Sequence, residues 1–271
     1  MRSRFPAIIG ALLLCLTFLH ASTSDPLPKA DEVLKQAIER AQWQDKNKLD
    51  RQWAGTQRSI NQKLNKEGHV EETVERMFQP VLVQGKPFAR LISKNGKPLS
   101  GDDQKKEAER EKKFRENVSK PNKADDDDDD VELNEELISR YNFNVIRRDQ
   151  VGDRPAFLLT FLPRPNVKLP EKRKMDRILN RLEGQVWFDA QNYSLLKVDM
   201  HLTEPTTLMG GLGSIRSLDF LIEMMQVAPD VVLPREVSIS FEGRQLFKSM
   251  RVKQKGYFTD YRKVSELAEA K

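Results

Sequence analysis

Two neighbouring stretches decide the fold: Gly184-Gln185-Val186-Trp187-Phe188-Asp189-Ala190, and after a short break Ser194-Leu195-Leu196-Lys197-Val198-Asp199-Met200-His201-Leu202-Thr203. In the second, Leu196, Val198, Met200 and Leu202 fall on one side of an extended chain and Lys197, Asp199, His201 and Thr203 on the other. Strict alternation with one wet face marks an antiparallel sheet, because successive side chains of a strand point to opposite faces. The pair reads as a hairpin across Gln191-Asn192. The same pattern recurs downstream. Leu218, Phe220, Ile222 and Met224 alternate with Ser217, Asp219, Leu221, Glu223 and Met225, and Val237, Ile239 and Phe241 alternate with Ser238, Ser240 and Glu242. A last strand, rich in Lys and Arg, runs from about Met250 to Tyr261.

Upstream, Phe143–Gln150 and Ala156–Leu162 flank the turn at Gly152-Asp153, with Phe157, Leu159 and Phe161 on one face. Gln52–Leu64 and Val70–Val83, divided by Gly68, read as polar strands. Phe88–Ile92 reads as a short strand closed by Asn95-Gly96, a hairpin-turn dipeptide. Three segments carry helical periodicity. They are Asp31–Gln44 with Asp31 as N-cap, 131–142 with Asp130 as N-cap, and 171–182, where Met175, Ile178, Leu179 and Leu182 recur. A sheet cannot leave its apolar face in water, so these helices are expected to cover it. The expected class is mainly β with helices, α+β: a curved antiparallel sheet or half barrel closed by amphipathic helices.

The first 21 residues are of another kind. Arg2 and Arg4 precede an apolar run from Ala7 to Leu19, followed by the small residues Ala21, Ser22 and Ser24. This has the form of a secretory signal peptide, cleaved after Ala21, with Ser22 or Ser24 as alternatives. The expected product is an exported, periplasmic domain over 22–271; secretion beyond the envelope also fits. The single cysteine, Cys15, lies in the leader, so no disulfide or cysteine-ligated metal is expected in the rest. The net charge is +5, two units of which belong to the leader arginines, and this gives no case for a nucleic-acid partner.

Residues 101–130 form a charged insert. Its only sizeable apolar residues are Phe114 and Val118, and it ends in six aspartates, Asp125 to Asp130. The expectation is a mobile, solvated excursion that adds little to the core. The aspartate run lacks the spacing and turn glycine of a calcium loop.

The chain offers no nucleophile elbow, phosphate loop or His-Glu-x-x-His zinc motif. His201 reads as a solvated strand histidine. No catalytic residue, metal or cofactor is expected. The segment Leu208-Met209-Gly210-Gly211-Leu212-Gly213-Ser214-Ile215 is apolar and glycine-rich. It reads either as a loop packed on the barrel rim or as a mobile lip at a cavity mouth, with Leu208, Met209, Leu212 and Ile215 as its apolar residues.

Gly184-Gln185-Val186-Trp187-Phe188-Asp189 followed by Leu195-Leu196-Lys197-Val198-Asp199-Met200 resembles the LolA-like superfamily, where a Gly-x-Val-Trp-Ile-Asp strand precedes a strand of the form leu-x-lys-val-asp. The superfamily includes periplasmic lipoprotein carriers, the outer-membrane lipoprotein receptor and RseB-type stress regulators. The coarse match spans about 30–263. It implies an eleven-stranded half barrel whose apolar hollow holds acyl chains. Trp187 and Asp189 are strand residues of that fold, and no ligand group carries over from it. The arginine with which the carriers hold their lid has four candidates here, Arg51, Arg58, Arg76 and Arg90. The charged insert departs from the carrier plan.

The expected function is non-enzymatic binding of a lipid, a lipoprotein acyl chain or another amphiphile. The cavity lining would be Phe161, Phe188, Leu196, Val198, Met200, Leu218, Phe220, Ile222, Met224, Val237, Ile239 and Phe241. The alternative is an RseB-type regulatory module whose partner is an envelope protein, and the third reading is an exported hydrolase. The sequence leaves the oligomeric state open.

Overall fold

The computed structural model describes residues 26–118, 131–165, 167, 169, 171, 175–208, 213–245 and 248–270. The leader, the aspartate run, and Met209 to Leu212 of the lip lie outside the described residues. Among the described residues, twelve strands form one sheet: β1 (Trp53–Leu64), β2 (Val70–Val83), β3 (Lys86–Lys94), β4 (Lys97–Pro98), β5 (Tyr141–Val151), β6 (Arg154–Pro163), β7 (Leu182–Asp189), β8 (Leu195–Leu202), β9 (Thr206–Leu208), β10 (Gly213–Ala228), β11 (Val231–Gln245) and β12 (Lys248–Lys263). Their order is β4-β3-β2-β1-β12-β11-β10-β8-β7-β6-β5, with β9 beside β10, and every strand pair is antiparallel. The expected α+β class is therefore the observed one. The chain's last long strand, β12, closes onto its first, β1, and joins the two halves of the sheet.

One helix dominates the covered face. Helix α1 (Ala30–Lys46) buries Val33, Leu34, Ala37 and Ile38 against Phe157, Leu159, Phe161, Val186 and Phe188. Burial of each larger aliphatic side chain contributes about 1.5–3 kcal/mol, so this stripe holds the helix to the sheet. Polar contacts fix its angle: Arg40 Nε donates to Ser194 Oγ at 3.1 Å and Arg40 Nη2 to Asp230 Oδ1 at 2.9 Å. The N-cap is Lys29 rather than Asp31, and the Lys29 amide donates to the Glu32 carboxylate at 3.3 Å.

The other two expected helices are mostly absent from the described residues. Only one turn forms in each, α3 (Glu135–Ile138) and α4 (Asp176–Leu179), and Asn134 rather than Asp130 caps the first by accepting from the Leu137 amide at 2.9 Å. Sheet pairing takes their last residues: Tyr141 begins β5 opposite Pro163, and Leu182 begins β7 opposite Leu202. The two turns are joined through Arg140, which is wholly buried and donates to Asp176 Oδ1 at 2.9 Å and Asn180 Oδ1 at 2.6 Å. The Tyr141 hydroxyl donates to the Leu179 carbonyl at 2.6 Å.

The insert differs from its expectation in its first half. Helix α2 (Gly101–Val118) runs along the outer edge of β3. Phe114 packs on Phe88 at 5.0 Å between ring centroids, and Arg90 pairs with Glu111 at 2.7 Å. Glu107, 9% exposed, accepts from the Leu91 amide at 2.9 Å, and Arg110 donates to the Ala89 carbonyl. These two side chains satisfy an amide and a carbonyl that a further strand would otherwise pair. An open strand edge is a template for association, and α2 blunts it.

Candidate ligand-binding face

Directly paired residues of an antiparallel sheet project to the same face, so the register maps the face that α1 covers, here the inner face. One row crosses ten strands: Val145, Leu159, Val186, Val198, Ile222, Val237, Gly256, Ser59, Arg76 and Lys94. A second runs Phe143, Phe161, Gly184, Met200, Phe220, Ile239, Gln254, Asn61 and Val74. A third contains Leu218, Phe241, Val252 and Lys63. The first two rows are apolar as far as β11 and change character at β12. From there Gln254, Asn61, Ser59 and Arg76 carry polar or charged groups, and Asn61 Nδ2 donates to Ser59 Oγ at 2.9 Å.

The expected lining residues therefore divide into groups. Phe161 and Phe188 are buried in the core beneath α1, and Val198, Met200 and Leu218 pack against that core. Phe220, Ile222, Val237, Ile239 and Phe241 are half-buried and lie outside that cluster. They form an apolar strip on β10 and β11, bordered by the helix-covered core on one side and, on the other, by a mixed surface of β12, β1 and β2 in which Gln254, Asn61, Ser59 and Arg76 lie among Val252, Phe258, Val74 and Phe78. Met224 continues the β10 side of the strip, beyond a bulge that shifts its partner to Pro234.

Leu196 corrects the sequence reading. It is 2% exposed and packs with Val151, Ala156, Leu158 and Trp187 on the opposite, outer face. The cause is a bulge: Trp187 pairs with Lys197 and Phe188 with Leu195, so one extra residue enters β8 and Leu195 takes the inner side. A bulge inserts one residue and reverses the facing of the residues beyond it, which simple alternation does not foresee. Ile215 is also corrected. It is a strand residue of β10, 5% exposed and paired with Thr206, and not part of a free lip. Leu208 ends β9 opposite Gly213.

The motif residues have structural roles. Asp189, fully buried, accepts from Arg154 Nε at 2.5 Å and from the amides of Gln191 and Asn192 at 2.8 and 2.9 Å, which builds the β7–β8 turn. Burial pushes its carboxyl up, but the Arg154 guanidinium and the two amides outweigh this and hold it below the usual carboxylate range. Trp187 donates its indole N–H to Asp149 at 3.0 Å, and that bond is the main reason Asp149 also lies low. Gly184 has no room for a side chain, since a Cβ there would lie 2.1 Å from the Asp199 carbonyl oxygen. His201 is half-exposed and meets Glu183 at 3.0 Å, consistent with a surface strand histidine.

The structure also separates the four arginines. Arg58 pairs with Glu75 at 2.9 Å and Arg90 with Glu111, while Arg51 sits exposed in a single helical turn before β1. Arg76 is half-buried, on the inner face, and its side chain has no hydrogen bond or ion pair to any described residue. A separate cleft of about 910 Å³ has a lining that includes Arg216, Glu242, Arg244, Lys248 and Arg251. Among the described residues there is no group of three or more His, Cys, Asp or Glu placed to hold a metal, and no helix is long and apolar enough to cross a membrane.

Fold and face together define an α+β protein with a twelve-stranded antiparallel sheet, one helix-packed inner face and an apolar strip. No protein-family profile and no curated protein matches the chain. Solved structures do match over most of its length. A putative outer membrane lipoprotein-sorting protein domain from Vibrio parahaemolyticus covers 87% of this chain and 95% of its own at 15% identity, with a TM-score of 0.31. A LolA superfamily protein from Nitrosomonas europaea covers 90% of this chain and 96% of its own at 11% identity, with a TM-score of 0.29. MucB in the Pseudomonas aeruginosa MucA/MucB complex covers 86% of this chain and 100% of the solved one at 11% identity, with a TM-score of 0.22. Similarity at these TM-scores carries no argument about function, which has to come from the residues themselves.

Proposed function

We propose that this chain is an exported, non-enzymatic binding protein of the periplasm that holds an amphiphile, such as a lipid or a lipoprotein acyl chain, against its inner face. The observation that carries the reading is the strip of Phe220, Ile222, Val237, Ile239 and Phe241, apolar in sequence and only half-buried. Apolar side chains in one contiguous patch that no described helix covers are characteristic of an interaction site. Each CH₂ of an acyl chain that leaves water contributes about 0.8 kcal/mol, so such a strip needs area more than special groups.

The test is Phe220→Asp with a fluorescent fatty acid as probe. Phe220 sits between Met200 and Ile239, and a carboxylate there faces apolar neighbours on both sides. Binding is expected to fall at least tenfold while the circular dichroism spectrum stays native. Unchanged affinity in a folded Phe220→Asp protein refutes the assignment.

A second reading, a regulatory module that binds an envelope protein, is favoured by a different observation. In the separate cleft, Glu242 is already shared by Arg216 at 2.9 Å and Arg251 at 3.0 Å, which leaves Arg244 and Lys248 without a carboxylate among the described residues. An acidic protein segment has the chemistry to fill it. Loss of a protein partner on Arg244→Glu, with fatty-acid binding intact, supports this second reading.

A further inference from the structure

We propose that Arg76 is the receptor for the anionic head of the bound amphiphile, so that the preferred ligands are single-chain oxyanions with a carboxylate or phosphate terminus. This rests on the proposed function, that the β10–β11 strip holds an apolar chain, and adds which end of the ligand goes where.

The argument runs along the row Ile222, Val237, Gly256, Ser59, Arg76. Its first two residues belong to the apolar strip. The next two are the smallest in the row, and both are buried: Gly256 has no side chain and Ser59 is 6% exposed. The Phe258 ring packs over Gly256, and Asn61 Nδ2 donates to Ser59 Oγ, so the protein's own side chains cover this part of the row. With strands about 4.8 Å apart, Arg76 stands three spacings from Val237, roughly 14 Å. An extended chain that starts on the strip and lies over these side chains is long enough to bring its head to the guanidinium. Beside the path stand Asn61, Gln57 and Gln254, whose amides suit a polar head, together with the apolar Phe258, Val74 and Phe78.

The state of Arg76 points the same way. Two neighbouring strand arginines each hold a carboxylate: Arg58 holds Glu75 and Arg90 holds Glu111. The next residue in the row, Lys94, is likewise taken, by Asp103 at 3.1 Å. Arg76 alone among these cations has no partner among the described residues. Its planar fork of N–H donors fits a carboxylate or phosphate oxygen pair, and a charge-assisted bond of that kind is stronger than a neutral one.

The experiment measures binding of dodecanoate, dodecyl phosphate and dodecanol to the whole exported chain by competition with a fluorescent fatty acid. In the wild-type protein both anions are expected to bind about tenfold more tightly than the alcohol, the size of one charge-assisted hydrogen bond. Arg76→Gln should bring the anions down to the alcohol's affinity and leave the alcohol unchanged. Arg76→Lys should restore part of the preference. Arg58→Gln, on the other face, should not alter it. If Arg76→Gln fails to fold, Arg76→Met serves instead: it keeps the aliphatic stem and removes the charge, so the anion preference should vanish. Equal binding of all three ligands by the wild-type protein overturns the role of Arg76 and leaves the apolar strip standing. An anion preference that survives Arg76→Gln or Arg76→Met in folded protein also overturns it. Binding of none of the three overturns both readings. A preference for only one of the two anions, lost in Arg76→Gln, keeps the receptor and identifies the head as carboxylate or phosphate.

Discussion

Replacing Asp189 by alanine tests whether the β7–β8 turn is held electrostatically. Asp189 is fully buried and accepts three hydrogen bonds, from Arg154 and from the amides of Gln191 and Asn192. Removing one member of a buried ion pair costs about 3–5 kcal/mol, because the other charge stays behind unpaired. Arg154 is 16% exposed and already contacts Gln226, so it turns partly to water and the lower end applies. We expect about 3 kcal/mol, read in urea as a lower midpoint with an unchanged slope, and a melting shift of roughly 6–12 °C for a domain of this size. Asp189→Asn keeps one oxygen for the two amides and should cost about 1–2 kcal/mol. The pH dependence gives an independent check. The folded carboxyl titrates below its usual range, so the charge contributes stability that is fully present above the unfolded value, about 3.9, and is lost as the pH falls through the folded one. The gap between wild type and Asp189→Asn should therefore be constant from pH 5 to 8 and shrink below about 4. An alanine variant within about 1 kcal/mol of wild type at pH 7, or a gap that widens in acid, refutes this account.

The packing sets two further outcomes. Replacing 101–130 with a short Gly/Ser linker removes Phe114 from Phe88 and exposes the β3 edge, so light scattering should show concentration-dependent association; Glu107→Ala alone, which leaves the Leu91 amide unpaired, should cost about 1–2 kcal/mol in urea. Burial pushes the Tyr141 and Tyr261 hydroxyls up to about 12, so their ionised forms are favoured in the unfolded chain first; stability should be complete below pH 10 and fall between about 10 and 12, with these two tyrosines late in an ultraviolet titration, and a titration in which every tyrosine ionises near 10 while the protein stays folded contradicts it.

Local pattern determined much of this protein. Alternation of apolar and polar residues placed β7, β8, β10, β11 and most of β12, since period two is a property of the extended chain itself. The 3.6-residue stripe of Val33, Leu34, Ala37 and Ile38 placed α1. The apolar side of the sheet was legible too, and Phe220, Ile222, Val237, Ile239 and Phe241 do share one face. Tertiary structure decided whatever depended on a partner far along the chain. Leu196 changed faces because a bulge is set by pairing with β7, and the alternation within β8 carries no trace of it. In the described residues the periodic segments 131–142 and 171–182 keep one helical turn each and end in β5 and β7, where ladder pairing and the buried Arg140–Asp176 contact, 36 residues apart, outweigh weak local propensity. Helix α2 reads as solvated because its anchors are Glu107 and Arg110, charged residues whose bonds go to a strand edge that only the folded sheet presents. Arg76 could not be told from Arg51, Arg58 or Arg90 in sequence. Its position in a row with Val237, Gly256 and Ser59 exists only once β12 has closed onto β1, a pairing between strands about 200 residues apart.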